Sequence, residues 1–269
     1  MSKLWLVFLL FLSLSLLAVL PVFAATNVDL ELALLVDISG SVDSTDFSLQ
    51  QTGYANAFKD ATVIDKIVNS GGFGSIAATL VYFSDSATQA LPWTLIDSQA
   101  SAIAFGNSIA GLSRPFSGNT GIVNGLNFTS PLFNNDFNGT RNVIDWSGDG
   151  SETNACSFTD PVCAALQAAR DAFLSQSITN SINALVINDR DFFGNTGTEL
   201  INSVAYATTN VIGGPGAFVI PVTGFDTFQT GVRDKLIQEI SPVPEPSTFG
   251  LLASGLAGIL YFSRRLKRA

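Results

Sequence analysis

The stretch Leu34-Leu35-Val36-Asp37-Ile38-Ser39-Gly40-Ser41 changes within a few residues from apolar side chains to side chains that carry oxygen. The largely apolar segment 30–37, which overlaps the beginning of this stretch, predicts a buried strand of a parallel sheet. Asp37, Ser39 and Ser41 stand at alternate positions, so an extended backbone leaving this strand presents all three oxygens on one side. The stretch therefore predicts a central strand that ends in a cluster of oxygen ligands.

Strands and helices alternate along the rest of the chain. Further strands are predicted at 76–83, 141–146, 182–187 and 217–222, with a short partner strand at 87–93. Apolar residues spaced by three, four or seven predict helices at 47–68, 98–112, 121 onward, 162–173, 199–208 and 225–240. The alternation predicts an α/β fold, a doubly wound and mostly parallel sheet with helices on both faces. The roughly 220 residues between the two chain ends fit a single domain.

In sheets of this kind, ligands bind beyond the carboxyl ends of the strands, where the strand order reverses. Two later loops are expected to reach this edge: Thr120 follows a Gly-Asn turn, and Asp149 lies between two glycines after the strand 141–146. Hydroxyl and carboxylate oxygens are suitable ligands for Mg²⁺, and also for Ca²⁺ or Mn²⁺. Such a site would keep one coordination position open for an incoming carboxylate. We predict a divalent-cation site formed by Asp37, Ser39, Ser41, Thr120 and Asp149.

Other interpretations of the nearby polar residues stay open at this stage. Ser41, Asp43 or Ser44 could simply cap the helix that follows, as Ser and Asp often do. Thr129 and Thr140 are further hydroxyls near Thr120 in the sequence, but they stand at less suitable places.

Three carboxylates and two glycine-rich segments are left out of the predicted site. Asp145 lies within its strand and is expected to face a neighbouring loop or the end of the sheet. Asp189 and Asp191 follow the next strand and are interpreted as solvated loop residues that could line the same edge of the sheet. The segments 71–74 and 213–216 lack the Gly-Lys-Ser/Thr of a phosphate-binding loop, so we interpret both as turns.

The chain resembles the von Willebrand factor type A (VWA) domain in these residues. In that family a metal-ion-dependent adhesion site (MIDAS) is built on Asp-x-Ser-x-Ser after the first strand, a Thr in a later loop and an Asp after a middle strand. Residues 37–41 match the first element, and Thr120 and Asp149 are the candidates for the other two. The segments 210–219 and 232–237 are similar to a bacterial VWA-like family of unknown function. The resemblance implies a Mg²⁺-dependent binding or adhesion module for a protein or matrix ligand, without enzyme activity.

Both ends of the chain are predicted to direct export. The apolar run 4–23, followed by Ala24, is typical of a signal peptide, although its length leaves an uncleaved anchor open. At the other end, Pro244-Glu245-Pro246 precedes the apolar segment 249–262 and a basic cluster at 264–268. This order resembles the PEP-CTERM sorting signal, which implies processing by an exosortase. A plain single-pass anchor is the alternative.

These features predict three regions. They are a signal peptide at 1–24, a VWA-like domain at 25–242, and a sorting signal at 243–269 with a short transmembrane segment at 249–262. The sorting signal implies a bacterial protein that stays in the inner membrane during sorting and then reaches the cell surface or the extracellular space.

Composition excludes several kinds of chemistry. The chain has no histidine, which excludes His-dependent triads and His-ligated zinc or haem, and its two cysteines are too few for a four-thiolate site. Cys156 and Cys163 are predicted to form a local disulfide, with two free thiols as the alternative. Without Lys3 and the four basic tail residues, eight Lys and Arg stand against 22 Asp and Glu, a net charge of −14. Such a surface repels nucleic acid and excludes it as a partner.

Three functions are compatible with the sequence. The first is the metal-dependent binding module, and the second is a structural matrix protein in which only the sorting tail matters. The third is a Mg²⁺-dependent phosphatase of the haloacid dehalogenase type, which needs a second carboxylate two residues after the first Asp. That position is Ser39, whose neutral hydroxyl cannot act as the general acid, so the phosphatase is disfavoured.

Overall fold

The computed structural model describes residues 24–69, 71–157, 160–188 and 199–241, without the side chains of 199–202. Nearly all of the predicted signal peptide lies outside this part, as do the whole predicted sorting signal with its transmembrane segment, Asp189 and Asp191. Within the described residues, no helix combines the length and the apolar character needed to span a bilayer.

The described residues form eight strands: β1 (Thr26–Val28), β2 (Leu30–Asp37), β3 (Ile76–Phe83), β4 (Ala87–Ile96), β5 (Phe137–Gly139), β6 (Asn142–Gly148), β7 (Asn180–Ile187) and β8 (Val219–Val222). Six of them form one sheet in the order β4-β3-β2-β6-β7-β8, while β1 and β5 pair separately. All pairs in the large sheet are parallel except β3 with β4. The chain passes from β2 to one side and later returns to the other side at β6, so the strand order reverses between these two strands.

Seven α-helices are present in this part of the chain: α1 (Ser44–Ala57), α2 (Ala61–Asn69), α3 (Gln99–Ala110), α4 (Ile122–Thr129), α5 (Ala164–Leu174), α6 (Glu199–Asn210) and α7 (Phe228–Ile240). Alternate side chains of β2 belong to two separate cores. Leu32 and Leu34 pack on the face covered by α1, α2, α3 and α7, whereas Ala33 and Leu35 pack on the face covered by α4, α5 and α6. The predicted doubly wound α/β fold with helices on both faces is confirmed.

The single helix predicted over 47–68 is wrong, because two helices occupy this segment. Helix α1 ends at Ala57 and α2 begins at Ala61. Between them, the Asp60 carboxylate accepts hydrogen bonds from the backbone amides of Thr62 (2.8 Å) and Val63 (3.2 Å), which stabilises the start of α2. The apolar spacing continues across the break because both helices pack on the same face of the sheet.

The predicted disulfide between Cys156 and Cys163 is formed. It closes a loop between β6 and α5, and the backbone amide of Cys163 donates to Asn210 Oδ1 at 2.8 Å. The two glycine-rich segments are turns, as predicted. Gly74 (φ 62°) and Gly214 (φ 88°) adopt left-handed backbone conformations that favour glycine.

A buried ionic cluster joins β6 to α7. The prediction for Asp145 is wrong: its side chain is fully buried and forms an ion pair with Lys235, which is also fully buried. Lys235 Nζ donates to the Trp146 carbonyl at 3.1 Å, and the Tyr54 hydroxyl donates to Asp145 Oδ1 at 3.3 Å. Burial raises the pKa of the nearby Glu239 carboxyl well above its ordinary value, and the charge of Asp145 raises it further.

Candidate metal site

The candidate site lies at the carboxyl edge of the sheet, where the strand order reverses. We call the part of this edge formed by Asp37, Ser39, Ser41, Thr120 and Asp149 the rim. Asp37 is the last residue of β2, and Gly148 is the last residue of β6. Residue Val36 pairs with Ser147 in the register of these two strands, so both strands end at the same level. This is the crevice in which doubly wound sheets bind their ligands.

Hydrogen bonds link four of the predicted residues across three loops. Thr120 Oγ1 donates to Ser39 Oγ at 3.2 Å, and Ser39 Oγ lies 3.2 Å from Ser41 Oγ. Ser41 Oγ donates to Asp149 Oδ1 at 2.7 Å. The loops that follow β2 and β6 and the loop before α4 therefore bring hydroxyl and carboxylate oxygens into direct contact.

Asp37 adds a buried carboxylate to these four residues. Its side chain is fully buried, and its Oδ1 accepts a hydrogen bond from the Ser39 backbone amide at 2.8 Å. Its other oxygen, Oδ2, is buried and has no hydrogen-bond partner among the described residues. Burial and the negative charge of Asp149 raise the pKa of Asp37 to about 8. A buried carboxylate oxygen without a partner is unfavourable, and a bound cation would remove that penalty.

The two glycines beside Asp149 allow the loops to approach this closely. A Cβ atom on Gly148 would lie 3.0 Å from Asp37 Oδ2 and 2.6 Å from the Trp146 ring. A Cβ atom on Gly150 would lie 3.0 Å from Thr120 Oγ1. A side chain at either position would push against a residue of the candidate site.

The alternative interpretations of the neighbouring residues do not fit the structure. Asp43, not Ser41, caps α1, because its carboxylate accepts from two backbone amides of the first turn at 2.7 and 2.9 Å. Thr140 Oγ1 donates to a backbone carbonyl near the amino end of β2 at 2.6 Å, far from the rim. Thr129 is fully buried at the end of α4. Of the three threonines considered, Thr120 alone contacts the other predicted residues.

Two residues that the sequence did not indicate hold the loops of Thr120 and Asp149 together. The Thr120 amide donates to Thr153 Oγ1 at 3.0 Å, and the Thr153 amide donates to the Thr120 carbonyl at 2.8 Å. Glu152 is fully buried and accepts from the Val123 amide at the start of α4 (2.7 Å). It also accepts from two amides of its own loop, at 2.8 and 2.9 Å. Glu152 therefore satisfies backbone donors of both loops.

Arg114 fixes the loop after β2 in the same way. Its Nη2 atom donates to the carbonyls of Ile38 and Ser39, both at 2.7 Å, and to Ser117 Oγ at 3.0 Å. The guanidinium thus ties the segment before Thr120 to the Asp-x-Ser-x-Ser segment. The sequence did not indicate Arg114, because the carbonyls of Ile38 and Ser39 lie about 75 residues away along the chain.

Replacing Glu152 with glutamine should lower the free energy of unfolding by about 1–3 kcal/mol. The amide nitrogen of glutamine cannot accept a hydrogen bond, so at least one backbone amide loses its buried partner. Denaturant unfolding and hydrogen exchange at the Val123, Asn154 and Ala155 amides measure the effect. Asp136→Asn, the same carboxylate-to-amide change on an exposed side chain, is the control. Equal stability and exchange in the two variants would contradict this role of Glu152.

The fold of this chain is similar to the folds of several solved structures. Proximal thread matrix protein 1 (PTMP1) from the mussel byssus, with a zinc-occupied MIDAS motif, has a TM-score of 0.50 at 17% identity, covering 81% of this chain and 46% of its own. The pilus adhesin SpaC from Lactobacillus rhamnosus GG has a TM-score of 0.55 at 16% identity, covering 81% and 31%. A von Willebrand factor type A structure from Catenulispora acidiphila has a TM-score of 0.49 at 14% identity, covering 80% and 43%. This chain spans less than half the length of each.

The chain belongs to the family described as protein of unknown function DUF1194, whose sequence profile matches residues 27–244. The PEP-CTERM protein-sorting motif matches residues 242–265, which confirms the predicted resemblance of the C-terminal segment. No curated protein matches the chain at a significant level.

Proposed function

We propose that this protein is an exported binding module that holds a divalent cation at its rim and uses it to bind a carboxylate of a partner. Ser39, Ser41 and Thr120 would bind the cation through their hydroxyls, with Asp37 and Asp149 contributing directly or through water. The observation that carries the proposal is the contact of these oxygens from three loops above the unpaired Oδ2 of Asp37.

The donor set favours a bound cation that keeps one coordination position open for an external ligand. The described residues hold no cluster of three or more His, Cys, Asp and Glu side chains, and three hydroxyl groups outnumber the two carboxylates at the rim. Neutral donors neutralise little of the charge of Mg²⁺, which prefers oxygen ligands and often completes its shell with an external group. Ca²⁺ and Mn²⁺ suit the same oxygens. A carboxylate of a protein or matrix ligand would complete the shell.

The direction in which the chain leaves the domain supports display of this rim. Arg141, just before β6, donates to the Glu239 carbonyl at 2.6 Å, so the end of α7 lies at the amino end of β6. Asp149 follows the other end of this strand. The Pro-Glu-Pro segment begins a few residues after α7. We therefore propose that, before processing, anchoring through the region 243–269 holds the domain 25–242 with its rim facing away from the membrane.

The test combines cation titration with retention on a carboxylate surface. The full chain in detergent is passed over a carboxyl-coated sensor and over a hydroxyl-coated one. Because the acidic protein is repelled by carboxylates, retention is expected only with Mg²⁺, Ca²⁺ or Mn²⁺, and EDTA should abolish it. The double variant Ser39→Ala, Thr120→Ala should bind the cation at least about tenfold more weakly.

The matched control is Ser108→Ala, Thr208→Ala, which removes two exposed hydroxyls whose hydrogen bonds within the described residues are to carbonyls of their own helices. It should behave like the unaltered protein. Unchanged calorimetric titration of Mg²⁺ in the rim variant would overturn the proposal. Cation binding without retention on carboxylates would favour the structural matrix alternative, in which the rim does not bind a partner.

A further inference from the structure

A cavity lies at the opposite end of the sheet from the candidate metal site. It has a volume of about 270 Å³ and lies between the 3₁₀ helix Ser130–Phe133, the first residues of β6 and β7, and the end of α5. Asn142 and Gly148 are the first and last residues of β6, so about 20 Å separates this cavity from the rim at about 3.3 Å per residue. We call it the amide pocket.

Side-chain amides and hydroxyls dominate the amide pocket. Its lining consists of Ser130, Pro131, Phe133, Asn134, Asn142, Gln176, Ser177 and Asn180. None of these residues carries a charge, and four of the eight carry a carboxamide. An amide donates and accepts hydrogen bonds at once, as a hydroxyl group does. The pocket is therefore matched to a neutral ligand with many hydroxyls rather than to an ion.

Some of these side chains have donors or acceptors without a hydrogen-bond partner in the described residues. Asn142 Nδ2 donates to Asn180 Oδ1 at 3.2 Å, but Asn142 Oδ1 is buried without a partner in the described residues. Gln176 Nε2 donates to Ser130 Oγ at 2.8 Å. The exposed Asn134 side chain forms no hydrogen bond within the described part of the chain. The floor of the pocket is thus ordered by amide contacts, while its mouth offers unused polar groups.

Apolar surface completes the pocket. Phe133 and Pro131 form part of its wall. The Phe133 ring is held in place by the rings of Trp93 and Phe173, at centroid distances of 5.2 and 5.1 Å. A sugar ring has hydroxyls at its edge and C–H groups on its faces, so it needs both kinds of surface in one small site.

We propose that the amide pocket binds one neutral sugar ring. The volume lies slightly below the range of about 300–1,000 Å³ that is usual for ligand pockets, which fits a single ring better than an extended chain. A peptide strand would bind through backbone pairing along a sheet edge, whereas the pocket is lined by side chains at the ends of β6 and β7. Binding of a capped peptide is accordingly an alternative outcome of the test. This site is independent of the metal-binding proposal.

The test is saturation-transfer difference NMR on the full chain in a detergent without a sugar headgroup. The probes are glucose, galactose, mannose and N-acetylglucosamine, with glucuronic acid, glucosamine and capped trialanine for comparison. At least one neutral sugar should bind saturably, with a dissociation constant on the order of 1–10 mM. The double variant Asn134→Ala, Gln176→Ala should weaken binding at least tenfold, whereas Asn107→Ala, an exposed helix position outside the pocket, should not change it.

Two controls assign the signal to this pocket. Binding should persist in EDTA, because the pocket is about 20 Å from the rim. It should also persist in the Ser39→Ala, Thr120→Ala variant. Loss of sugar binding in EDTA, equal binding in the pocket variant, tighter binding of trialanine than of every neutral sugar, or no saturable signal from any neutral sugar would each overturn the proposal.

Discussion

Replacing Asp37 with asparagine should weaken divalent-cation binding by at least about 100-fold. The Asp37 carboxylate offers the cation a full negative charge, whereas the hydroxyls of Ser39 and Thr120 are neutral, so its loss should cost more than the loss of both hydroxyls. Losing only an outer-shell partner of a metal ligand typically lowers affinity by about 10–100-fold. Asp37 is also the more deeply buried carboxylate of the candidate site, and its Oδ2 has no hydrogen-bond partner among the described residues. Calorimetric titration with Mg²⁺ and Ca²⁺ measures the change.

The same variant separates a lost ligand from a damaged fold. Without metal, Asp37 is a buried carboxyl whose pKa is raised to about 8 by burial and by Asp149, so its charge is unfavourable in the folded state. In EDTA, the melting temperature of Asp37→Asn should therefore not fall below that of the unaltered protein. Added Mg²⁺ should raise the melting temperature of the unaltered protein but not that of Asp37→Asn. Equal stabilisation of both proteins by Mg²⁺ would contradict the role given to Asp37.

Replacing Lys235 with methionine should lower the free energy of unfolding by about 3–5 kcal/mol. The change keeps most of the side-chain volume but leaves the Asp145 carboxylate buried without its ammonium partner. Removing one partner of a buried ion pair destabilises a protein more than replacing both. Both side chains are fully buried, so water cannot take the place of the ammonium group. Chemical denaturation of the full chain measures the loss.

A second variant shows whether charge or packing causes this loss. Asp145→Asn combined with Lys235→Met removes both charges, so the double variant should be more stable than Lys235→Met alone. Lys66→Met on α2, where the lysine has no hydrogen bond or ion pair in the described structure, should change stability by less than about 0.5 kcal/mol. A double variant no more stable than the single one would indicate that the cluster contributes through packing.

The core of the candidate site could be predicted because its pattern is local. Asp37, Ser39 and Ser41 stand on one extended segment, and their spacing determines that their oxygens face the same way. The glycines beside Asp149 marked a tight loop at a strand end. The role of Asp43 was ambiguous in the sequence, since Ser41, Asp43 and Ser44 are equally good caps. Only the hydrogen bonds of Asp43 to the first turn of α1 leave Ser41 available for the rim.

Residues that act across the fold could not be predicted in this way. Glu152 reads as an ordinary loop carboxylate, yet it accepts from amides of two loops. Asp145 follows Val143 by two positions in β6 and therefore faces the same core. A buried carboxylate there needs a partner, and that partner is Lys235, 90 residues further along the chain. Neither partner is visible from spacing along the chain.

The sequence by itself determined the alternation of strands and helices, the order of the polar segments and the sorting motif, because these follow from side-chain character and spacing along the backbone. Only the tertiary structure decided that α1 and α2 are separate, that Thr120 rather than Thr129 or Thr140 reaches Ser39, and that Lys235 lies beneath Asp145. These outcomes depend on which distant segments meet. Burial then makes each unpaired charge or donor costly, so the partners are selected by the packing of the whole domain.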